Sequence, residues 1–207
     1  VKKSRPYHHG NLKAALLEAA VKVLGKVGPH AFTLREVARR AAVSHNAPYR
    51  HFRDKDELLA AVAAEGFTRL GDTMLSAAAA AGTPLDAVLC NGRGYVQFAV
   101  EYPEHFSAMF DRPAEIDDDP AYAQAGRRAF HVLFDNIEAA QKSGQLPGGD
   151  PNPLALAAWS MVHGVAKLAV AGRLPFATKE ALLEFNAFAG RALTEGLARA
   201  RVPAGNP

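Results

Sequence analysis

The stretch Thr33–Phe52, TLREVARRAAVSHNAPYRHF, constrains the fold of this chain more than any other. Thr33 followed three residues later by Glu36 is a capping box: the hydroxyl accepts from the Glu36 N–H, and the Glu36 carboxylate reaches back to the Thr33 N–H. A helix therefore starts here. Leu34, Val37, Ala38 and Ala41 recur at helical spacing and form one apolar stripe, while Arg35, Arg39 and Arg40 lie off it. Ala42 and Val43 break the pattern, and Ser44 reads as the N-cap of a second helix running through Tyr49 to His51. Pro48 then stands at the fourth helical position, where its missing N–H forfeits only the bond to the Ser44 carbonyl. A helix this short takes its register from packing against the first.

Two helices joined by a tight turn make a helix-turn-helix, whose second helix enters the major groove of DNA. The segment VSHNAPYRHFRDKDELL resembles the recognition helix and following helix start of the TetR family of transcriptional regulators, in which a Tyr-x-x-Phe pair and a downstream Lys recur. Here these are Tyr49, Phe52 and Lys55, and the resemblance is strongest from Leu12 to Leu59. It implies an all-α protein with an N-terminal three-helix DNA-binding domain over residues 1–56 and a C-terminal helical bundle for ligand binding and dimerisation over 57–207. Carried over position by position, it implies that His45, Asn46 and Ala47, on the helix opened by Ser44, face base edges. Tyr49 and His51 then lie near backbone phosphates, Thr33 meets another phosphate, and Arg35 reaches a base or a phosphate. The side-chain chemistry agrees: Asn46 suits adenine N6 and N7, Arg35 suits guanine O6 and N7, and the Ala47 methyl suits a thymine methyl. Phe52 is assigned to the core, Pro48 to shape and Arg50 to solvent.

Charge is distributed in the same sense. Residues 1–60 carry 12 Lys and Arg against 5 Asp and Glu, a net +7, whereas the rest carries 12 against 16, a net −4. The basic excess sits where a phosphate backbone has to be met. At 207 residues and 49% hydrophobic content the chain is long enough for one or two domains with a substantial core. Cys90, the single cysteine, excludes an intramolecular disulfide, fits a reducing cytoplasm, and reads as a buried inert thiol rather than a redox sensor. Val1 to Asn11 is basic and polar with no apolar core, so it is not read as a signal peptide, and no uninterrupted apolar run marks a membrane span.

In chain order, Lys2, Lys3, Arg5, His8 and His9 form a basic arm, either a solvated tail or a phosphate and minor-groove contact. Leu12, Leu16, Ala19, Ala20, Val23, Leu24 and Val27 predict a helix stopped by Gly28 and Pro29, which covers Phe32, Leu34, Val37 and Phe52. Asp54 and Glu57 open a long helix to about Ala80, with Lys55 at the cation-unfavourable end of its dipole. A DNA phosphate held by Lys55 and the Asp56 and Glu57 N–H groups resolves that conflict. Further helices are expected over Leu85–Glu101, Glu104–Phe110, Ala121–Lys142, Leu154–Ala171 and Thr178–Arg201. Tyr102-Pro103 is a break, and Gln145–Pro153 is a loop on composition. Asp117, Asp118 and Asp119 read as a solvated acidic loop, lacking the spacing of a cation site.

One module reads too few base pairs for a genomic address, so a homodimer on a palindromic operator is expected. Its interface is assigned to the last two helices, through Leu156, Val162, Val165 and Ala169 on one and Leu182, Phe185, Phe188, Ala189 and Leu193 on the other. Phe67, Met74, Tyr95, Phe98, Phe106, Met109, Phe110, Phe130, Phe134, Trp159 and His163 supply the core and a candidate apolar pocket. YPEHFSAMF and WSMVHG resemble a TetR C-terminal subgroup, which implies a regulatory ligand there. His163 reads as either a satisfied core histidine or a ligand contact. The expected mechanism is two-state: a small apolar or amphipathic effector, of unknown identity, binds better when the heads are spread and so lowers DNA affinity, with Asp54–Ala80 as the lever. An activator of the same fold is the alternative.

An enzyme is disfavoured. The sequence has no Gly-rich phosphate loop, nucleophile elbow, HExxH or Cys/His metal set, and the acid/base-capable neighbours Tyr102, Glu104 and His105 have no nucleophile beside them. No metal or organic cofactor is implied, and no membrane partner. The acidic C-terminal part and the lack of long basic runs argue against an architectural DNA protein.

Overall fold

The computed structural model describes residues 12–111 and 119–199. The basic arm, Asp117 and Asp118, and the tail Asn206–Pro207 lie outside the described residues. Those described fold as eight α-helices and one short 3-10 turn, with no strand among them. They divide into two compact units, one formed by the described parts of Val1–Gly66 and Glu104–Ala123, the other by those of Phe67–Pro103 and Gln124–Pro207. The sequence reading divides the chain at residue 56; the first unit extends about three turns farther, because Leu58, Leu59, Val62 and Ala63 are fully buried.

In the first unit α1 (Leu12–Val27) buries Leu16, Ala19, Ala20, Val23 and Leu24, the centre of the expected stripe, and leaves Val27 exposed. The chain turns at Gly28, whose φ of 69° suits glycine and whose N–H bonds the Leu24 carbonyl at 2.8 Å. Helix α2 (Leu34–Arg40) is capped by Thr33, whose hydroxyl accepts from the Glu36 N–H at 3.3 Å. The reciprocal half of the capping box is not formed: the Glu36 carboxylate accepts from Arg39 at 3.3 Å instead. Leu34, Val37 and Ala38 are buried and pack on α1.

Helix α2 ends in a Schellman motif. The Val43 N–H bonds the Ala38 carbonyl at 3.0 Å and the Ala42 N–H bonds that of Arg39 at 3.2 Å. Ala42 is thereby held at φ 56°, the one non-glycine with positive φ among the described residues. The expected helix from Ser44 does not form as an α-helix. Pro48 offers no N–H, so the Ser44 carbonyl bonds the Ala47 N–H at 2.9 Å in a tighter turn, and a 3-10 turn follows over Pro48–Arg50 without a side-chain cap.

Helix α3 (Lys55–Ala78) starts on Asp54, whose carboxylate accepts from the Asp56 and Glu57 N–H groups at 3.1 and 2.9 Å. The Glu57 carboxylate accepts from the Arg53 N–H at 2.6 Å, one residue before the position a capping box uses. Helix α5 (Pro103–Phe110) completes this unit by burying His105, Phe106, Ala108 and Met109. Gly66 and Gly25 make room for it: a Cβ on Gly66 would stand 2.6 Å from the Met109 sulfur, and one on Gly25 2.9 Å from the Glu104 carboxylate.

The second unit is centred on α4 (Pro84–Glu101), capped by Thr83 and packed against α7 (Asn152–Val170) and α8 (Lys179–Arg199), which also pack on each other. Gly94 lets α4 approach the α3 backbone, since a Cβ there would meet the Thr73 carbonyl at 3.1 Å. Helix α6 (Pro120–Lys142) is capped by Asp119, which accepts from the Tyr122 N–H at 2.9 Å and so belongs to a helix start rather than to the expected acidic loop. Cys90 is free and half-buried.

Two stability effects follow. Ala42→Gly relieves a left-handed alanine, a conformation costing about 1–2 kcal/mol, and is expected to raise the thermal midpoint despite the greater freedom of glycine in the unfolded chain. Ala42→Val should lower it. The Asp54 carboxyl is held below the usual range, chiefly by the Glu57 N–H and further by Arg53 and the Asp56 N–H. A depressed pKa contributes stability above the unfolded-state pKa that is lost as pH falls through the folded one. Asp54→Ala should therefore cost about 1 kcal/mol at neutral pH, and denaturant melts of the two proteins should converge in acid, below about pH 4.

Candidate nucleic-acid interface and aromatic interior

The 44–52 turn is buried on one side only. Ala47 is 8% exposed and Phe52 2%, and Pro48 is buried with them. On the other side Ser44, His45, Asn46, Arg50 and His51 are exposed, and Tyr49 keeps 59% of its surface in water. Thr33 and Arg35, at the start of α2, are exposed as well, and Lys55 is half-buried. Eight of the nine expected contact residues thus reach the surface. Ala47 is the correction, because a methyl this deeply buried cannot meet a thymine methyl.

A second correction concerns the phosphate expected at the start of α3. The Asp56 and Glu57 N–H groups are already taken by Asp54, whose carboxylate also bonds the Arg53 guanidinium at 3.2 Å. An anion at that helix start would meet an ionised carboxylate, so only the Lys55 ammonium is left to offer it.

The eleven aromatic, Met and His residues of the expected pocket are divided between the two units. Phe106, Met109 and Phe110 belong to the first unit, where the Phe106 and Phe110 rings lie 5.0 Å apart at a tilt of 59°. Phe67, Met74 and Phe98 are buried in the second unit. The remaining five form one chain of contacts. The buried Tyr95 hydroxyl on α4 lies 2.8 Å from His163 Nδ1 on α7, the roles of donor and acceptor depending on the imidazole tautomer. The His163 ring meets Trp159 at 5.8 Å, Trp159 meets Phe130 edge-on at 6.3 Å, and Phe130 meets Phe134 at 6.5 Å. Burial pushes the Tyr95 phenol well above its ordinary range, so it stays a neutral hydroxyl. His163 is therefore hydrogen-bonded, as a core histidine should be, and also borders half-buried aromatics.

Of the expected interface residues, Val162, Val165 and Leu182 are buried within the chain, facing neighbouring helices. Leu156 and Phe188 are exposed, at 49% and 62%, and Ala169, Phe185, Ala189 and Leu193 are half-buried. Sequence reading missed Leu168 and Val170, which are exposed beside them. It also missed Asn91, fully buried on α4: its amide donates to the Val132 carbonyl at 3.2 Å, while its oxygen has no partner. A lone Asn in the stripe Ala87, Val88, Asn91, Tyr95 and Phe98 was the available signal.

Two family models match the chain. Residues 16–62 match the family described as bacterial regulatory proteins, tetR family, and residues 88–187 match the tetracyclin repressor-like C-terminal domain. An HTH-type transcriptional repressor of Mycobacterium tuberculosis is 36% identical over 61 residues, 30% of this chain and 32% of that protein. The HTH-type regulator BetI of Rhizobium meliloti is 37% identical over 76 residues, 37% of each chain. The chain thus covers about a third of the curated relatives it matches. Among solved structures, a protein of unknown function from Rhodococcus sp. RHA1 is 32% identical with a TM-score of 0.79, covering 95% of this chain and 100% of that one. FadR of Bacillus subtilis, in complex with stearoyl-CoA, shares the fold with a TM-score of 0.75 at 14% identity, covering 88% and 98%. With a helix-turn-helix head, an all-helical C-terminal part and both family models on the corresponding residues, the chain belongs to the TetR family of bacterial transcriptional regulators.

Proposed function

We propose that the chain is a ligand-responsive repressor that reads a palindromic operator as a homodimer. The observation that carries this reading is the one-sided burial of the 44–52 turn, which fixes Ala47, Pro48 and Phe52 inward and commits His45, Asn46 and Tyr49 to the surface. Arg35, His45 and Asn46 read base edges; Thr33, Ser44, Tyr49, His51 and Lys55 meet the backbone. The likeness of the head to that of a named repressor supports repression.

The second copy packs on the outward apolar face of α7 and α8, through Leu156, Leu168, Phe185, Phe188 and Leu193 with the smaller Ala169 and Ala189. A face this apolar is unusual on a helix that meets only water. The effector, of apolar or amphipathic character, lies against Tyr95, Phe130, Phe134, Trp159 and His163, whose one polar couple orients it. α3 is the lever, since it runs unbroken from Lys55 to Ala78.

Selection of genomic fragments by purified protein at physiological salt should recover a short palindrome; recovery of nothing above background by folded protein removes the reading. On that operator Asn46→Ala is expected to lose about 1–3 kcal/mol of discrimination at one or two positions, whereas Lys55→Ala weakens all sequences alike and lowers the salt slope by about 1. Equal weakening of every duplex by Asn46→Ala would show that it reads no base. Phe188→Glu should shift sedimentation from dimer to monomer with helicity retained, and an unchanged mass would exclude α8 from the interface.

A further inference from the structure

Lys13 stands on the first turn of α1, and its Nζ lies over the Phe52 ring, 5.7 Å from the centroid. Phe52 is 2% exposed and closes the inward side of the 44–52 turn, whereas Lys13 is exposed. The ammonium therefore marks the edge where the core of the first unit meets the surface beside that turn. His51 borders the same ring, its imidazole centroid 6.5 Å from that of Phe52, and is exposed as well. One phenyl ring thus has a cation from α1 and an imidazole from the turn around it.

Nothing in α1 itself accounts for the lysine. A cation in a first turn opposes the helix dipole, and the first turn of α1 carries no acidic residue to offset it. Among the described residues Lys13 has no carboxylate partner, whereas Lys22, farther along α1, is paired with Glu18. An aromatic face attracts an ammonium without supplying lone pairs, so the three N–H donors of Lys13 stay available to an oxygen acceptor. A DNA strand carries one such charge about every 3.4 Å of its axis, close enough for two neighbours on one ring to meet the same or adjacent phosphates.

We propose that Lys13 is a DNA-backbone contact, a cationic anchor supplied by α1 beside the phosphate met by His51. The assignment rests on the DNA reading given above and extends it to a helix that reading does not use. A flexible ammonium is a point charge that suits a phosphate rather than a base edge, so Lys13 adds affinity and register without sequence information. The exposed Lys26 of the same helix does not share this placement. It stands thirteen residues on, in the last turn, about 20 Å away along the axis.

The test is the salt dependence of binding to random-sequence duplex DNA, read by fluorescence anisotropy with the full chain. Lys13→Met keeps the apolar stem and removes the charge, and should lower the slope of log K against log salt by about 0.9, the loss of one phosphate contact. Lys13→Gln, a second neutral variant, should do the same. Lys13→Arg, whose guanidinium also stacks on a ring, should keep the wild-type slope. Lys26→Met makes the same charge change at the other end of α1 and should keep it too. Thermal melts of each variant report on the packing around Phe52. A lowered thermal midpoint with a wild-type slope in both neutral variants makes Lys13 a support for Phe52 and overturns the proposal, as does an equal loss of slope in Lys13→Met and Lys26→Met. Folded wild-type protein that binds no duplex removes the DNA reading and this assignment with it; wild-type binding with an unaltered slope in the Lys13 variants removes this assignment alone.

Discussion

Burial of Ala47, Pro48 and Phe52 on one side of a short turn is what gives the other side a defined orientation. Three residues of 3-10 geometry cannot hold a register of their own, because the nucleus of a helix is unfavourable until further turns propagate it. Pro48 removes the donor an α-helical start from Ser44 needs, and the chain tightens to let Ala47 satisfy that carbonyl. The register therefore comes from packing. Phe32 and Phe52 are almost fully buried, each contributing about 1.5–3 kcal/mol of apolar burial, and they fix the turn against α1 and α2. His45, Asn46 and Tyr49 are presented as a consequence of what is hidden beneath them.

In the second unit α4 holds a comparable position, and its polar residues mark where its surroundings are specific. Tyr95 is nearly buried yet keeps a hydroxyl partner in His163, so the cost of drying a phenol is offset by one hydrogen bond. Asn91 is more expensive, with its amide satisfied by Val132 and its oxygen unmet. Asn186, on α8, likewise buries an oxygen without a partner. Groups of this kind destabilise by about 1–3 kcal/mol each relative to satisfied ones, and the apolar contacts of α4 with α7 and α8 outweigh them.

Element order was legible because its signals are local. Thr33, Asp54, Thr83 and Thr178 each accept from an N–H in the first turn that follows, and Gly28 stops α1 with its positive φ. Facing was less legible. Nothing in a three-residue turn has a period, so Ala47 could not be separated by pattern from Asn46, although one is buried and the other exposed. Asp54 reads as a cap, but its occupancy of two amides shows only when the carboxylate is placed, and that displaces the phosphate assigned to them. Aromatic residues near one another in composition were pooled across the Tyr102-Pro103 break, after which Phe106 and Met109 join a different unit.

The apolar character of α7 shows why composition alone gives the wrong partition. Its length and mean hydropathy of 1.3 satisfy the requirements of a membrane span, yet only a third of that stretch is buried within the chain. A helix in lipid is apolar around its whole circumference, with no water to meet a polar side chain. On α7 the exposed positions alternate in character: Leu156, Leu168 and Val170 are apolar, while Asn152 and Ser160 are polar and Lys167 is half-buried between them. The buried residues Leu154, Ala155, Ala158, Val162, Val165 and Ala166 form a coherent stripe toward α4 and α8. One face is thus committed to the chain's own core, and the other mixes apolar and polar positions. In the homodimer proposed above, a second α7–α8 pair would meet that mixture, with apolar anchors separated by small and polar residues that tolerate water at an interface rim.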